Sequence, residues 1–250
     1  MGQTGNAHRI IVALDVGTRS QALSLVESLP EGQFFKVGLQ LFTAEGPSLI
    51  QEIAQRGKRV FLDLKLHDIP NTIAGAVSMA AGHGVAMMTL HASGGREMMR
   101  RAAEVAADKA DAAGRDRPLL LGVTVLTSLK DAELGEIGMP ADAAGQVLKL
   151  ARLAQSAGMD GIVCSPLELG MVRAEFGREF LVVTPGIRPA WAAAQDQKRI
   201  MTPEKALAGG ADYLVIGRPI TAAPSPGEAF ARIRQALDGA DTDPHGEDGA

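Results

Sequence analysis

Asp63, Lys65 and Asp68 lie within six residues of one another in the stretch FLDLKLHDIPNT. A lysine held between carboxylates is a positioned ammonium. It can stabilise negative charge developing beside it and then give up a proton. Alternate residues of a strand face the same way, so the apolar run beginning at Phe61 places Asp63 and Lys65 on one face. Asp68 arrives out of phase, just before Ile69-Pro70. An ion pair that only satisfies itself is the plainer reading of Asp63 and Lys65. A buried pair with no other task gives weak support to stability, because desolvation offsets the attraction. Lys36, in FFKVGL, allows an alternating network of Lys36, Asp63, Lys65 and Asp68. Taken alone, Asp68 would read as a helix N-cap.

A second constellation suits an anion. YLVIGRPI offers Gly217, where a phosphate could approach the backbone, and the forked donor Arg218. VTPGIRP repeats the arrangement with Gly186 and Arg188. HASGGRE brings no second histidine or acidic partner at zinc-like spacing, so a metal site is not expected. His91 reads as a hydrogen-bonding residue at a strand end, and His67 as structural or exposed at the rim. Cys164 reads as a small buried residue, and the methionines of MAAGHGVAMM and REMMRR as packing positions.

Elements able to hold these residues recur along the chain. Apolar, β-branched runs stand at 9–16, 34–42, 59–68, 85–92, 119–126, 161–166, 179–187 and 213–218. Segments with helical spacing separate them, among them SQALSLVESL, REMMRRAAEVAADKA and AGQVLKLARLAQSAG. Near-continuous apolar strands alternating with helices predict a parallel sheet covered by helices. Eight units of about 30 residues fit an α/β fold of the (β/α)8 TIM-barrel type, a single domain. An open doubly wound sheet would call for a G-x-G-x-x-G after the first strand, where ALDVGTRS stands. The barrel is predicted over 9–238, with a flexible stretch at 1–8 and a disordered acidic tail at 239–250. Barrel chemistry gathers at the C-terminal strand ends, which here carry Asp15, Lys36, Asp63, Lys65, Asp68, His91, Thr127, Ser165, Pro185 and Arg218.

The net charge of −4 offers no bulk attraction to nucleic acid or an anionic membrane. One cysteine excludes an intrachain disulfide, and no apolar run approaches the ~18 residues of a membrane span. These features point to a soluble, cytoplasmic protein acting on a small molecule.

The ordered set of motifs resembles the orotidine 5′-phosphate decarboxylase family, bacterial type. DLKLHDIPNT is similar to the family's D-x-K-x-x-D-I-x-x-T signature. ALD, FKVGLQLF, HASGG, VTVLTS, TPGIRP, DQKRIMTP and YLVIGRPIT follow in the family's order, from about Arg9 to Leu237. The resemblance implies conversion of orotidine 5′-monophosphate to UMP and CO2 in pyrimidine biosynthesis, without cofactor or metal. It implies that Asp15 and Lys36 contact the ribose hydroxyls and that Asp63 faces the substrate carboxylate. Lys65 would protonate C6, Thr127 touch the pyrimidine edge and Pro185 line the pocket. Arg188, Gln197, Gly217 and Arg218 would hold the 5′-phosphate. Asp68, Ile69 and Thr72 would reach the partner's site across a homodimer interface.

Two rival readings remain in view. Barrels resembling 3-keto-L-gulonate 6-phosphate decarboxylase share D-x-K-x-x-D but place an acidic Mg2+ ligand at the end of strand 2, where Lys36 stands here. A non-catalytic phosphate-binding barrel would need the GIRP and IGRP loops but not the charged network.

Overall fold

The computed structural model describes residues 5–114, 116–192 and 200–241. The predicted flexible start and acidic tail therefore fall partly outside the described residues. Eight parallel strands close a barrel in sequential order: β1 (Ile10–Ala13), β2 (Phe34–Gly38), β3 (Arg59–Leu66), β4 (Met87–His91), β5 (Leu119–Val123), β6 (Gly161–Val163), β7 (Leu181–Thr184) and β8 (Tyr213–Ile216). β8 pairs with β1 through Ile10–Leu214, Ile11–Val215 and Val12–Ile216, which leaves no sheet edge. All eight predicted strand runs form, each shorter than its apolar run.

Helices follow the strands, as α1 (Arg19–Ser28), α2 (Leu39–Glu45), α3 (Ser48–Gln55), α4 (Pro70–Gly82), α5 (Arg96–Ala113) and α6 (Asp131–Glu136). The remainder are α7 (Ala143–Ser156), α8 (Leu169–Phe176), α9 (Pro203–Ala208), α10 (Arg218–Thr221) and α11 (Pro226–Asp241). Ahead of β1, Gly5–Arg9 forms a 3-10 turn, and Asn6 bonds Asp238 and the carbonyl of Leu237 on α11. Buried apolar side chains between helices and strand backs form the larger core. Met88, Met98 and Met99 join it as expected and Met87 is buried inside the barrel, whereas Met79 is largely exposed on α4.

The barrel interior decides what the mouth can display. Ile11, Phe34, Phe61, Met87, Leu121 and Val183 fill its lower part as one apolar layer. Side chains alternate along a strand, so the next inward positions are two residues further on. On β1 to β4 these are Ala13, Lys36, Asp63 and Thr89. A polar layer thus rests directly on an apolar plug. At the opposite end, Asp160 accepts from Arg117 and from the Leu120 N–H, and Asp212 from Arg173 and the Val182 N–H. These paired ties lock strand starts and take no part in the mouth.

Candidate active site

β2 and β3 bring the charged side chains together. Lys36 Nζ lies 2.9 Å from Asp15 Oδ1 and 3.8 Å from Asp63 Oδ2. Lys65 Nζ donates to both Asp63 oxygens at 2.9 Å. Lys36 is 8 % exposed, and these two carboxylates are the partners of its buried ammonium. Asp15, Lys36, Asp63 and Lys65 also line one cleft of about 150 Å³. Phe61, Asp63 and Lys65 point inward, while Leu62, Leu64 and Leu66 line an outer apolar groove against Met79 and Ala80. The alternation read from the sequence therefore holds.

The strand itself is not regular. Leu62 pairs with Met88 and Leu66 with Leu90, so β3 spends four residues where β4 spends two. Within this break Lys65 takes φ +52°, the only positive φ of a non-glycine residue among the described residues. That conformation costs an L-residue about 1–2 kcal/mol. Thr89 Oγ1 accepts the Lys65 N–H at 2.9 Å and donates to Asp63 Oδ1 at 3.0 Å. The regular strand expected here is corrected to a bulged one, and Thr89 joins the cluster unforeseen. A signal was present: Thr89 is the polar inward position two residues beyond Met87.

A second cavity, of about 210 Å³, opens beside the first and shares Asp15 and Lys36 with it. Pro185, Arg188, Gly217 and Arg218 line it. Gly186 has φ +76°, which turns the chain after β7 where a side chain would be strained. An isolated bridge between Ile187 and Met201 closes the base of that loop, and the Arg188 N–H donates to the Met201 carbonyl at 2.9 Å. Arg188 and Arg218, 30 positions apart, converge because β7 and β8 are neighbours. Gly38 permits a close approach of another kind, since a Cβ there would stand 3.0 Å from Lys36 Nζ.

Other expected residues stand apart within this chain. Asp68, Ile69 and Thr72 are exposed, and Ile69 is 67 % accessible. Asp68 accepts from the Ile69 N–H at 2.6 Å. The N-cap of α4 is Ile69, with Pro70 following, so Asp68 is not the cap that its position suggested. Thr127 lies in the turn beyond the end of β5 and lines neither cavity. Gln197 lies outside the described residues. His91 ends β4 with its ring 5.4 Å from that of exposed His67. Burial holds the His91 imidazole below its ordinary pKa, and the nearby His67 and Lys65 act in the same direction. Ser165 caps a short 3-10 turn with Glu168, and Cys164 is fully buried, which pushes its thiol pKa up. Among the described residues no group of three or more His, Cys, Asp or Glu could hold a metal, and no helix is long and apolar enough to cross a membrane.

A closed (β/α)8 barrel with a Lys–Asp–Lys cluster and two arginines at its C-terminal mouth defines a barrel enzyme of the kind that handles a small anionic molecule. The family model described as "Orotidine 5'-phosphate decarboxylase / HUMPS family" matches residues 8–233. Orotidine 5′-phosphate decarboxylase of Alkalilimnicola ehrlichii is 53% identical over 232 residues, covering 92% of this chain and 96% of that protein. The Nostoc sp. protein of the same name is 49% identical over 230 residues, covering 92% and 97%. A crystal structure of orotidine 5′-phosphate decarboxylase from Lactobacillus acidophilus superposes with a TM-score of 0.82 at 39% identity, covering 91% and 98%. The chain belongs to the orotidine 5′-phosphate decarboxylase / HUMPS family.

Proposed function

We propose that this protein is a carboxy-lyase that converts orotidine 5′-monophosphate to UMP and CO2, a step of pyrimidine biosynthesis. The observation that carries the reading is Asp63 held between Lys36 and Lys65 in a cleft that continues into the arginine-lined cavity. Its order along the mouth matches the substrate: phosphate at Arg188, Gly217 and Arg218, ribose at Asp15 and Lys36, pyrimidine at Asp63 and Lys65. Pro185 lines the pocket, and Thr127 and Gln197 are assigned to the pyrimidine edge and the phosphate.

The chemistry follows from these groups. The bond from C6 to the carboxylate breaks, CO2 leaves, and the electron pair stays on C6 in the plane of the ring. No enolate form delocalises it, so fixed charge must stabilise it. The Lys65 ammonium lies on Asp63 and can face C6. It stabilises the carbanion, transfers one proton to C6, and regains a proton from water. Asp63 also repels the bound carboxylate, a stress relieved as neutral CO2 departs. Phosphate binding at the remote arginines aligns the ring against the cluster. Lys36 stands where a metal-using relative of this barrel type would place an acidic ligand, and a cation there repels a divalent ion. Loss of orotate absorbance in the presence of EDTA tests the whole reading. Ligand binding with no absorbance change, or dependence on added Mg2+, would overturn it.

The same reading makes the protein a homodimer with shared sites. Exposed Asp68, Ile69 and Thr72 complete the site of the neighbouring copy, with Asp68 as fourth member of its charge network. Heterodimers of Lys65→Ala and Asp68→Ala subunits then regain one intact site. No recovery of activity in verified heterodimers refutes this arrangement. Residues 9–238 form the catalytic domain. A lone, buried cysteine and a biosynthetic substrate support a cytoplasmic setting.

A further inference from the structure

We propose that Thr89 is a positioning residue, whose hydroxyl sets the Asp63 carboxylate and the Lys65 main chain in one geometry. The inference rests on Lys65 as proton donor and adds what aims it. Thr89 is fully buried, so bulk water does not compete for its oxygen. Its hydroxyl carries a single proton. The Lys65 N–H is a donor only, so at 2.9 Å Oγ1 must be the acceptor. The Thr89 proton is then committed to Asp63 Oδ1, 3.0 Å away.

Three contacts thereby close a ring: Thr89 to the Lys65 backbone, Lys65 Nζ to Asp63, and Asp63 back to Thr89. The ring spans the break between β3 and β4, where ordinary ladder pairing is interrupted. Lys65 sits there at positive φ, so something must hold it. The β-branched Thr89 suits that task, because its χ1 is stiff and it is anchored in β4 opposite Leu121. With Oδ1 fixed from below, Asp63 turns Oδ2 toward Lys36, 3.8 Å away. A valine would fill the same space and supply neither donor nor acceptor.

Thr89→Val and Thr89→Ser test the inference through steady-state kinetics, UMP affinity, and deuterium uptake at C6 of UMP in D2O. That uptake is the reverse of the Lys65 proton transfer, and it requires no carboxylate. Thr89→Val is expected to lower kcat about 10- to 100-fold, the effect of one hydrogen bond to a charged group. C6 exchange should fall in parallel while UMP affinity holds, and Thr89→Ser should recover most of both. Should the valine protein not fold, Thr89→Cys carries the same expectation, since a thiol is a weak donor. An unchanged kcat in the folded variant overturns the inference. So does a loss of UMP affinity as large as the loss of kcat, or a serine variant as impaired as valine. An active Lys65→Ala enzyme removes the proton-donor reading itself. An inactive Lys65→Ala beside a normal Thr89→Val removes only the role given to Thr89.

Discussion

Replacing Lys65 by alanine, and separately by glycine, divides what its side chain contributes from what its backbone opposes. Both variants lose the ammonium that donates to Asp63 at 2.9 Å. A positioned general acid is worth about 10²–10⁴ in rate. A fixed charge at the developing carbanion is worth about 10²–10³ more. Both variants should therefore lose at least about 10⁴-fold in kcat. They differ in stability. Lys65 has φ +52°, where an L-residue costs about 1–2 kcal/mol. Glycine avoids that penalty but gives back about 0.5–1 kcal/mol in unfolded-state entropy. The difference favours Lys65→Gly over Lys65→Ala by up to about 1.5 kcal/mol, or up to about 6 °C in Tm for a chain of this size. Parallel thermal melts and a stopped-time UV assay measure both effects. An alanine variant more stable than the glycine one would refute the strain argument. Turnover above about 1 % of the parent in either would refute the proton-donor assignment.

The remaining predictions concern the arginine cavity and the histidine beside the cluster. Arg218→Ala touches no reacting atom, yet kcat/KM should fall about 10- to 100-fold through loss of a charged hydrogen bond to the phosphate; an unchanged kcat/KM refutes that assignment. His91 is held below its ordinary pKa of 6.5, so below that pH the unfolded chain binds a proton that the native state resists. Its contribution is therefore complete above about pH 6.5 and is lost as pH falls through the lowered native value. The urea midpoint of His91→Gln should fall less steeply with acid than that of the parent, and identical slopes would count against the reading.

Much of this protein was legible because strands in a covered barrel must be apolar on both faces. Eight such runs, separated by helical spacing, specify the alternation that the barrel requires. Period-two reasoning also placed Asp63 and Lys65 on one face, and their side chains do meet. Thr89 followed from the same rule but went unread, because a single threonine between Met88 and Leu90 looks like ordinary strand composition. Asp68 shows the opposite limit. Its place before Ile69-Pro70 suggested a cap, but the exit from β3 shifts the cap to Ile69.

The sequence by itself determined the fold class, the charged strand ends in an apolar framework, and the residue types available for acid chemistry and anion binding. These are consequences of local periodicity and side-chain chemistry. Only the tertiary structure decided that Lys65 is held at positive φ and that Thr89 bridges it to Asp63. It also decided that Arg188 and Arg218 face one cavity. Each of those facts depends on contact between strands distant in the chain, with a register set by barrel closure.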